Sequence, residues 1–355
     1  MSSEPHSAST PVLTLLRQKG GGWKGLALPV GGFLVLATSF VAYMIAMPGK
    51  SYSGPVALSS AEELTVAQNL RQDLTYLAGT IGERNLDHYE NLQSAAQYVE
   101  DSFKSIGYSP QSEEFKSQGM TVRNIIVEIR GSRSGNEIVL VGAHYDSVYG
   151  CPGADDNASG TAALLEIARL LQSDKPARTI RLVAWVNEEP PNFRTPTMGS
   201  WVNAKHAHQR GDRIVAGISL ETLGTYTDAA ESQHYPVGFS FFFPSKGNFV
   251  GFVGNLSSRD LVRDSVGYFR KTTQFPSEGV AAPGGTAGIG WSDHWSYWQE
   301  GYPAIMITDT APFRNPNYHK LSDTPEKLNY EPMARVVIGI VKLVHRIGGG
   351  SSVVW

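Results

Sequence analysis

Residues 141–160 read Val-Gly-Ala-His-Tyr-Asp-Ser-Val-Tyr-Gly-Cys-Pro-Gly-Ala-Asp-Asp-Asn-Ala-Ser-Gly. The apolar run from Glu137 to Val141 predicts a buried strand that delivers His144 and Asp146 at its end. A Gly/Pro/Asp loop follows, and a helix is expected from about Ser159–Gly160. Imidazole and carboxylate groups leaving a strand end, with more carboxylates before the next helix, suit a divalent-metal site in an α/β protein. A His two residues before an Asp is common by itself, so the rest of the chain has to supply further ligands.

Working outward, Thr161–Leu171 has the apolar spacing of a helix lying on a sheet, through Ala162, Leu165, Ala168 and Leu171. Met120–Arg130 and Glu137–Val141 flank the turn Gly131–Gly135 and predict a hairpin-like pair. Thr179–Val186 is apolar at nearly every residue, as a strand buried on both faces should be, and Ile214–Leu220 and Ala304–Ile307 follow the same pattern. Ser60 with Glu63 three residues later has capping-box spacing and predicts a helix that ends before Gly79. Further helices are expected over about His88–Lys104, Asp260–Arg270 and from Pro332 onward. Between Thr222 and Gly290 the pattern loosens into Gly-, Pro- and aromatic-rich excursions near the site, not a separate domain. The alternation predicts an α/β three-layer sandwich, with a central mixed, mostly parallel sheet and helices on both faces.

Composition is that of an ordinary globular protein, with 41% hydrophobic and 18% charged residues. A net charge of −3 gives no reason to expect nucleic-acid binding, and one cysteine, Cys151, allows no intrachain disulfide. The exception is Leu26–Met47, 22 residues without a charge, about the length that crosses a bilayer core. Arg17, Lys19 and Lys24 precede it, and only Lys50 follows closely. That bias predicts a single retained transmembrane helix, with the amino terminus cytoplasmic and the bulk of the chain extracytoplasmic, periplasmic or extracellular. A cleaved signal peptide is the rival, disfavoured by the long apolar core and by the poor cleavage site at Ile45-Ala46-Met47-Pro48. Residues 1–25 then form a disordered cytoplasmic tail, 26–47 the anchor, 48–59 a linker, 60–348 the catalytic unit and 349–355 a tail.

Three later stretches repeat the theme of acid or imidazole at a strand end. They are Asn187-Glu188-Glu189, Ser219-Leu220-Glu221 and Asn315-Pro316-Asn317-Tyr318-His319. Ligands bind at that edge of open α/β sheets. One bridging carboxylate can hold two divalent ions about 3.5–4 Å apart, each completed by one imidazole and one further acid. His144, Asp156, Glu189, Glu221 and His319 make such a set, which frees Glu188 to act as general base.

These motifs, in this order and spacing across roughly residues 60–345, resemble the zinc exopeptidase family of bacterial leucine-type aminopeptidases, glutamate carboxypeptidase II and glutaminyl cyclases. The matching text is His144-Tyr-Asp146, Gly153 to Gly160, Asn187-Glu188-Glu189, Ser219-Leu-Glu221, Ser292-Asp293-His294 and Asn315 to His319. The resemblance implies two zinc ions per chain and a peptide substrate. It selects Asp156 over Asp155 as the bridge, with a cis peptide after it, and makes Asp146 the partner that orients His144. It also brings Asp293 and His294 close to the site, as structural support or substrate contact. Glu221 departs from the pattern, since many family aminopeptidases have Asp there.

The expected activity is that of a membrane-anchored aminopeptidase. A carboxypeptidase of the same fold would need a cation for the substrate carboxylate, for which Arg194 and Arg314 are available. A glutaminyl cyclase would use one zinc and fewer ligands, and a binding ectodomain would have lost ligands first. Pro190–Pro196 is expected to wall the substrate pocket. His206 and His208 are read as surface residues of a helix, and Cys151 as a bystander.

Overall fold

The computed structural model of the chain describes residues 36–55 and 57–350. Eight strands form one sheet: β1 (Gln111–Ser117), β2 (Met120–Ile129), β3 (Ser134–His144), β4 (Arg178–Trp185), β5 (Arg213–Glu221), β6 (Val250–Asn255), β7 (Ser277–Ala282) and β8 (Ala304–Thr308). Their spatial order is β1-β2-β4-β3-β5-β8-β6-β7. The central neighbours β4, β3, β5 and β8 are mutually parallel, so their carboxyl ends share one edge. Strand β2 pairs antiparallel with β4, and β6 antiparallel with β8.

Residue alternation explains why both faces are covered. Val141, Ala143, Ile180, Leu182, Ala184, Ile218 and Leu220 point to one side and join the larger core. That side is packed by α1 (Ala61–Leu74), α2 (Tyr89–Ile106), α3 (Gly160–Leu171), α5 (Arg259–Thr272) and α7 (Tyr330–Ile347). Ile138, Leu140, Val183, Trp185 and Ile214 point to the other, against α4 (Gly199–Arg210) and α6 (His294–Gln299). Each such side chain taken fully out of water contributes about 1.5–3 kcal/mol before entropy is counted. Gly142 in β3 admits the Trp185 ring, which a Cβ there would strike.

Several expectations need correction. The segments on either side of Gly131–Gly135 are not a hairpin, because β4 lies between β2 and β3 in the sheet. The true hairpin joins β2 to β1, an edge strand too polar to be read from periodicity. The capping box at Ser60 is present, with Glu63 N–H donating to the Ser60 hydroxyl and Ser60 N–H to the Glu63 carboxylate. The helix does not stop before Gly79, however, since a π-turn carries it from Thr75 to Ile81. Residues 222–290 contribute β6 and β7 to the sheet besides the expected helix.

Of the expected anchor, residues 26–35 lie outside the described residues and residues 36–45 are helical. Among the described residues no helix is long and apolar enough to cross a membrane. The tail at 1–25 and residues 351–355 also lie outside them.

Candidate active site at the carboxyl edge of the sheet

Strand β3 ends on His144, whose register partner is Trp185, the last residue of β4. Three and four residues beyond Trp185 come Glu188 and Glu189, so the two strand ends meet. Asp146 ties them together: its Oδ1 accepts the Glu188 N–H at 3.1 Å and its Oδ2 the Glu189 N–H at 3.2 Å. The same Oδ1 lies 3.4 Å from His144 Nδ1. Strand β5 supplies Glu221, opposite Thr308 of β8, and the loop after β8 returns with His319.

The loop between β3 and α3 separates the two neighbouring aspartates by their partners. The Asp155 carboxylate is engaged by Gly224 N–H, the Thr225 hydroxyl and the Asn315 amide, latching three loops together. The Asp156 carboxylate turns instead to the imidazoles. The Asp156–Asn157 peptide is cis, as the resemblance implied. Asn157 bonds Leu220 O and receives Gly160 N–H and Thr222 N–H, fixing this turn to the end of β5. Gly160 is needed there, because a Cβ would meet the Leu220 carbonyl and the Asn157 side chain.

Around Asp156 the structure brings together the five expected ligands and Glu188. Asp156 Oδ1 is 3.4 Å from His144 Nε2, and Oδ2 is 3.0 Å from His319 Nε2. Glu221 Oε2 is 3.5 Å and Glu188 Oε2 3.8 Å from His144 Nε2, while Glu189 Oε2 is 3.4 Å from His319 Nε2. The side chains form two metal-capable groups, His144 with Glu188 and Glu221, and Asp156 with Glu189 and His319. Distance alone would allow Glu188 in the first group, but Asp156 lies nearer to His144 and alone reaches both imidazoles.

The donor set fits divalent cations. His144 Nε2, Asp156 Oδ1 and Glu189 Oε1 are buried without a hydrogen-bond partner, which costs free energy unless something else satisfies them. In the metal-free protein, burial pushes Glu188 well above the usual carboxylate range and Glu189 up to about 8, with neighbouring acids adding to both. Burial opposes a charge on His319, but its bonds to Asp156 and Glu189 outweigh that and raise it to about 10. So many acids in one buried space call for positive charge to offset them.

The candidate substrate residues separate clearly. Arg314 is 8% exposed, with Nε on the Gln233 side chain and a second nitrogen on Thr225 O, while its remaining nitrogen is buried without a hydrogen-bond partner. Arg194 is exposed, donates to Gly290 O and lies in the field of Glu188. Asp293 is fully buried, with both carboxylate oxygens lacking a hydrogen-bond partner, and burial raises its pKa to about 7. His294 is buried against Trp298, with Nε2 bonded to Ile289 O and Nδ1 without a hydrogen-bond partner. Cys151 is buried and donates to Lys320 O, with its thiol pushed up to about 12 by burial, an inert setting. His206 bonds Glu113 and His208 is exposed on α4, away from any metal group.

Two supports have no signal in the sequence, and a third, Ser292, belongs to a quoted motif but gains its role only here. The Asp323 carboxylate receives the backbone N–H groups of Asp155 and Asp156. Buried Arg84 gathers the carbonyls of Tyr145, Pro152 and Gly153 around the loop. The Ser292 hydroxyl donates to Glu221 Oε2 at 2.6 Å. Beside Glu221 opens an apolar recess enclosing about 790 Å³ of empty volume, part of it open to solvent, with Phe239, Phe249, Phe252, Trp291 and Phe313 in its lining. None of Pro190–Pro196 lines it; its lining comes from the 233–253, 278–291 and 306–318 segments.

Comparison with known proteins places these features in a family. The profile described as peptidase family M28 matches residues 124–344. The "Uncharacterized protein YfbL" of Escherichia coli strain K12 is 38% identical over 298 residues, covering 81% of this chain and 91% of that protein. "Leucine aminopeptidase 1" of Arthroderma otae is 25% identical, over 84% of this chain and 80% of its own. Among solved structures, the zinc aminopeptidase of Bacillus subtilis superposes with a TM-score of 0.65 at 16% identity, over 79% of this chain and 95% of that one. The glutaminyl cyclase of Tannerella forsythia gives 0.57 at 22% identity, over 79% and 98%.

Proposed function

The chain belongs to peptidase family M28 as a metallo-exopeptidase, and from that premise we propose a two-zinc aminopeptidase that is anchored in a membrane and works outside the cytoplasm. One observation carries the two-metal reading. The Asp156 carboxylate offers an unpartnered Oδ1 toward His144 and its Oδ2 toward His319. His144 and Glu221 would hold one cation, Glu189 and His319 the other, with Asp156 common to both. Bound zinc polarises a scissile carbonyl and acidifies a water.

The remaining work falls to the chain's own residues. Glu188 takes the proton of the attacking water and passes it to the leaving amine. Asp146 holds the His144 ring and both glutamate backbones in place. The apolar recess beside Glu221 receives the side chain at the cleavage point and keeps water away from it. Aminopeptidase polarity is supported by the name of the Arthroderma otae relative, and the anchor by the uncharged run Leu26–Met47 behind Arg17, Lys19 and Lys24.

The test is Glu188→Gln in the full chain. Zinc content should remain near two per chain while kcat falls by about 10²–10⁴-fold. Full turnover in that variant with both ions bound would sink the role of Glu188. Carboxypeptidase action is kept as a second reading by Arg194, the exposed cation near Glu188. Hydrolysis of carboxy-blocked but not amino-blocked dipeptides is the outcome expected here, and the reverse would exchange the readings.

A further inference from the structure

Residues 235–245 read Tyr-Pro-Val-Gly-Phe-Ser-Phe-Phe-Phe-Pro-Ser, eleven residues without a charge and with five aromatic rings. A water-facing loop seldom has this composition. Its rings divide into two sets. Tyr235 and Phe239 each stack on Phe243, and Phe239 and Phe243 pack on a small core of Val253, Val280, Ala282, Ile289 and Met306. Val237, Phe241 and Phe242 point away and are 103%, 86% and 50% exposed. The inner set explains the loop's attachment; among the described residues nothing covers the outer set. Contiguous exposed apolar groups of this kind mark a binding surface.

The same small core identifies the occupant. Met44 and Ile45, at the carboxyl end of the uncharged run Leu26–Met47, pack on it alongside Phe239 and Phe243. If that run crosses a bilayer, its last residues lie at the lipid–water boundary, and whatever shares their packing lies there too. Lys246, exposed just after the loop, is placed to meet lipid phosphates. Aromatic side chains favour that boundary.

We propose that the 235–243 loop is a second membrane contact, with Val237, Phe241 and Phe242 inserted into the leaflet from which the chain emerges. The proposal rests on the anchored reading above. Tyr235, Pro236, Phe239 and Phe243 also line the recess beside Glu221, so the insertion sets the substrate pocket against the lipid surface. Peptides that partition into that surface through an apolar amino-terminal residue would then meet the pocket directly.

The experiment uses the full chain in phosphatidylethanolamine/phosphatidylglycerol vesicles. Val237→Cys and Phe241→Cys are labelled with an environment-sensitive fluorophore, and native Cys151 stays unlabelled because it is buried. Ser105→Cys on α2 is the control, since α2 packs over β2, at the opposite end of the sheet from β6 and β7. The expected result is a blue-shifted emission at 237 and 241, quenched several-fold more by acyl-chain-brominated lipid than the label at 105. Protein that floats with vesicles yet shows water-like emission at all three positions overturns the loop contact and leaves the anchor standing. Protein that does not float overturns both. Labels shielded without lipid quenching, but with energy transfer between chains, overturn the lipid contact in favour of a second copy.

Discussion

Asp146 shows how one carboxylate can hold a site without touching the reaction. Its two oxygens accept the N–H groups of Glu188 and Glu189 while one of them faces His144 Nδ1. In Asp146→Asn the amide nitrogen would confront one of those N–H groups, so at least one bond is lost and the His144 ring loses its carboxylate. Zinc affinity should fall by about 10–100-fold, read by competition with a chelating dye. Unchanged affinity would show that the imidazole is held by packing alone. The candidate ligands were legible in the sequence because His144, Glu189 and Glu221 are acids or imidazole at or just after the ends of apolar strands, while Asp156 and His319 lie in the loops that leave two such strands. Arg84 and Asp323 were not, and Ser292 was visible only as part of its motif, without its role. Arg84 and Asp323 bind backbone carbonyls and N–H groups that only the finished fold assembles, and the bond from Ser292 to Glu221 spans 71 residues of sequence. The split between Asp155 and Asp156 came from resemblance, and the structure supplies its physical content in the three donors that occupy Asp155.

At the scale of elements, legibility followed burial. Strands β3, β4, β5 and β8 are buried on both faces and declare themselves as apolar runs. Strand β1 (Gln-Ser-Glu-Glu-Phe-Lys-Ser) lies at the sheet edge and β6 carries two glycines, so neither has a periodic signature. Adjacency in sequence suggests a hairpin of β2 and β3, but β4 is inserted between them in space. The capping box was read correctly, and the structure gives it a second duty. The Glu63 carboxylate that caps α1 also takes two bonds from Arg335 of α7, at 2.8 and 3.0 Å. The Arg335 bond holds the Glu63 carboxyl below its ordinary value of 4.5. A depressed acid stabilises the fold above its unfolded pKa, and that contribution is lost as pH falls through the folded value. Glu63→Gln keeps the cap acceptor and removes the charge. Wild type should therefore exceed the variant by up to about 1 kcal/mol at neutral pH, a modest figure because the pair is partly exposed. The difference should shrink as pH drops below 4.5 and vanish once it is below the depressed folded value, as urea unfolding at a series of pH values would show. A constant difference across that range would mean that the loss comes from packing and not from charge.

For the whole molecule, the site sets a conflict between folding and chemistry. Folding along this sheet order drives Asp156, Glu188, Glu189 and Glu221 into one space with under a tenth of each exposed. Without cations, folding must bury and crowd acids that the unfolded chain leaves in water, and that cost falls on the central strands. Cation binding should then be linked to global stability, because the unfolded chain has no preformed site. At a hundredfold excess of free zinc over its dissociation constant, one site adds about 2.7 kcal/mol, or roughly 5 °C in Tm for a domain of this size. Chelated full-length protein should melt early and zinc should restore it, in two resolvable steps if two ions bind. In His319→Gln the group formed with Asp156 and Glu189 loses its imidazole, so one step should disappear while the step belonging to His144 and Glu221 persists. Scanning calorimetry with metal content measured on the same samples decides the matter. Equal Tm values for chelated and loaded protein would separate the cation site from the stability of the fold. A single step in wild type, unchanged in His319→Gln, would leave only the His144 side as a metal centre and would remove the bridging role from Asp156.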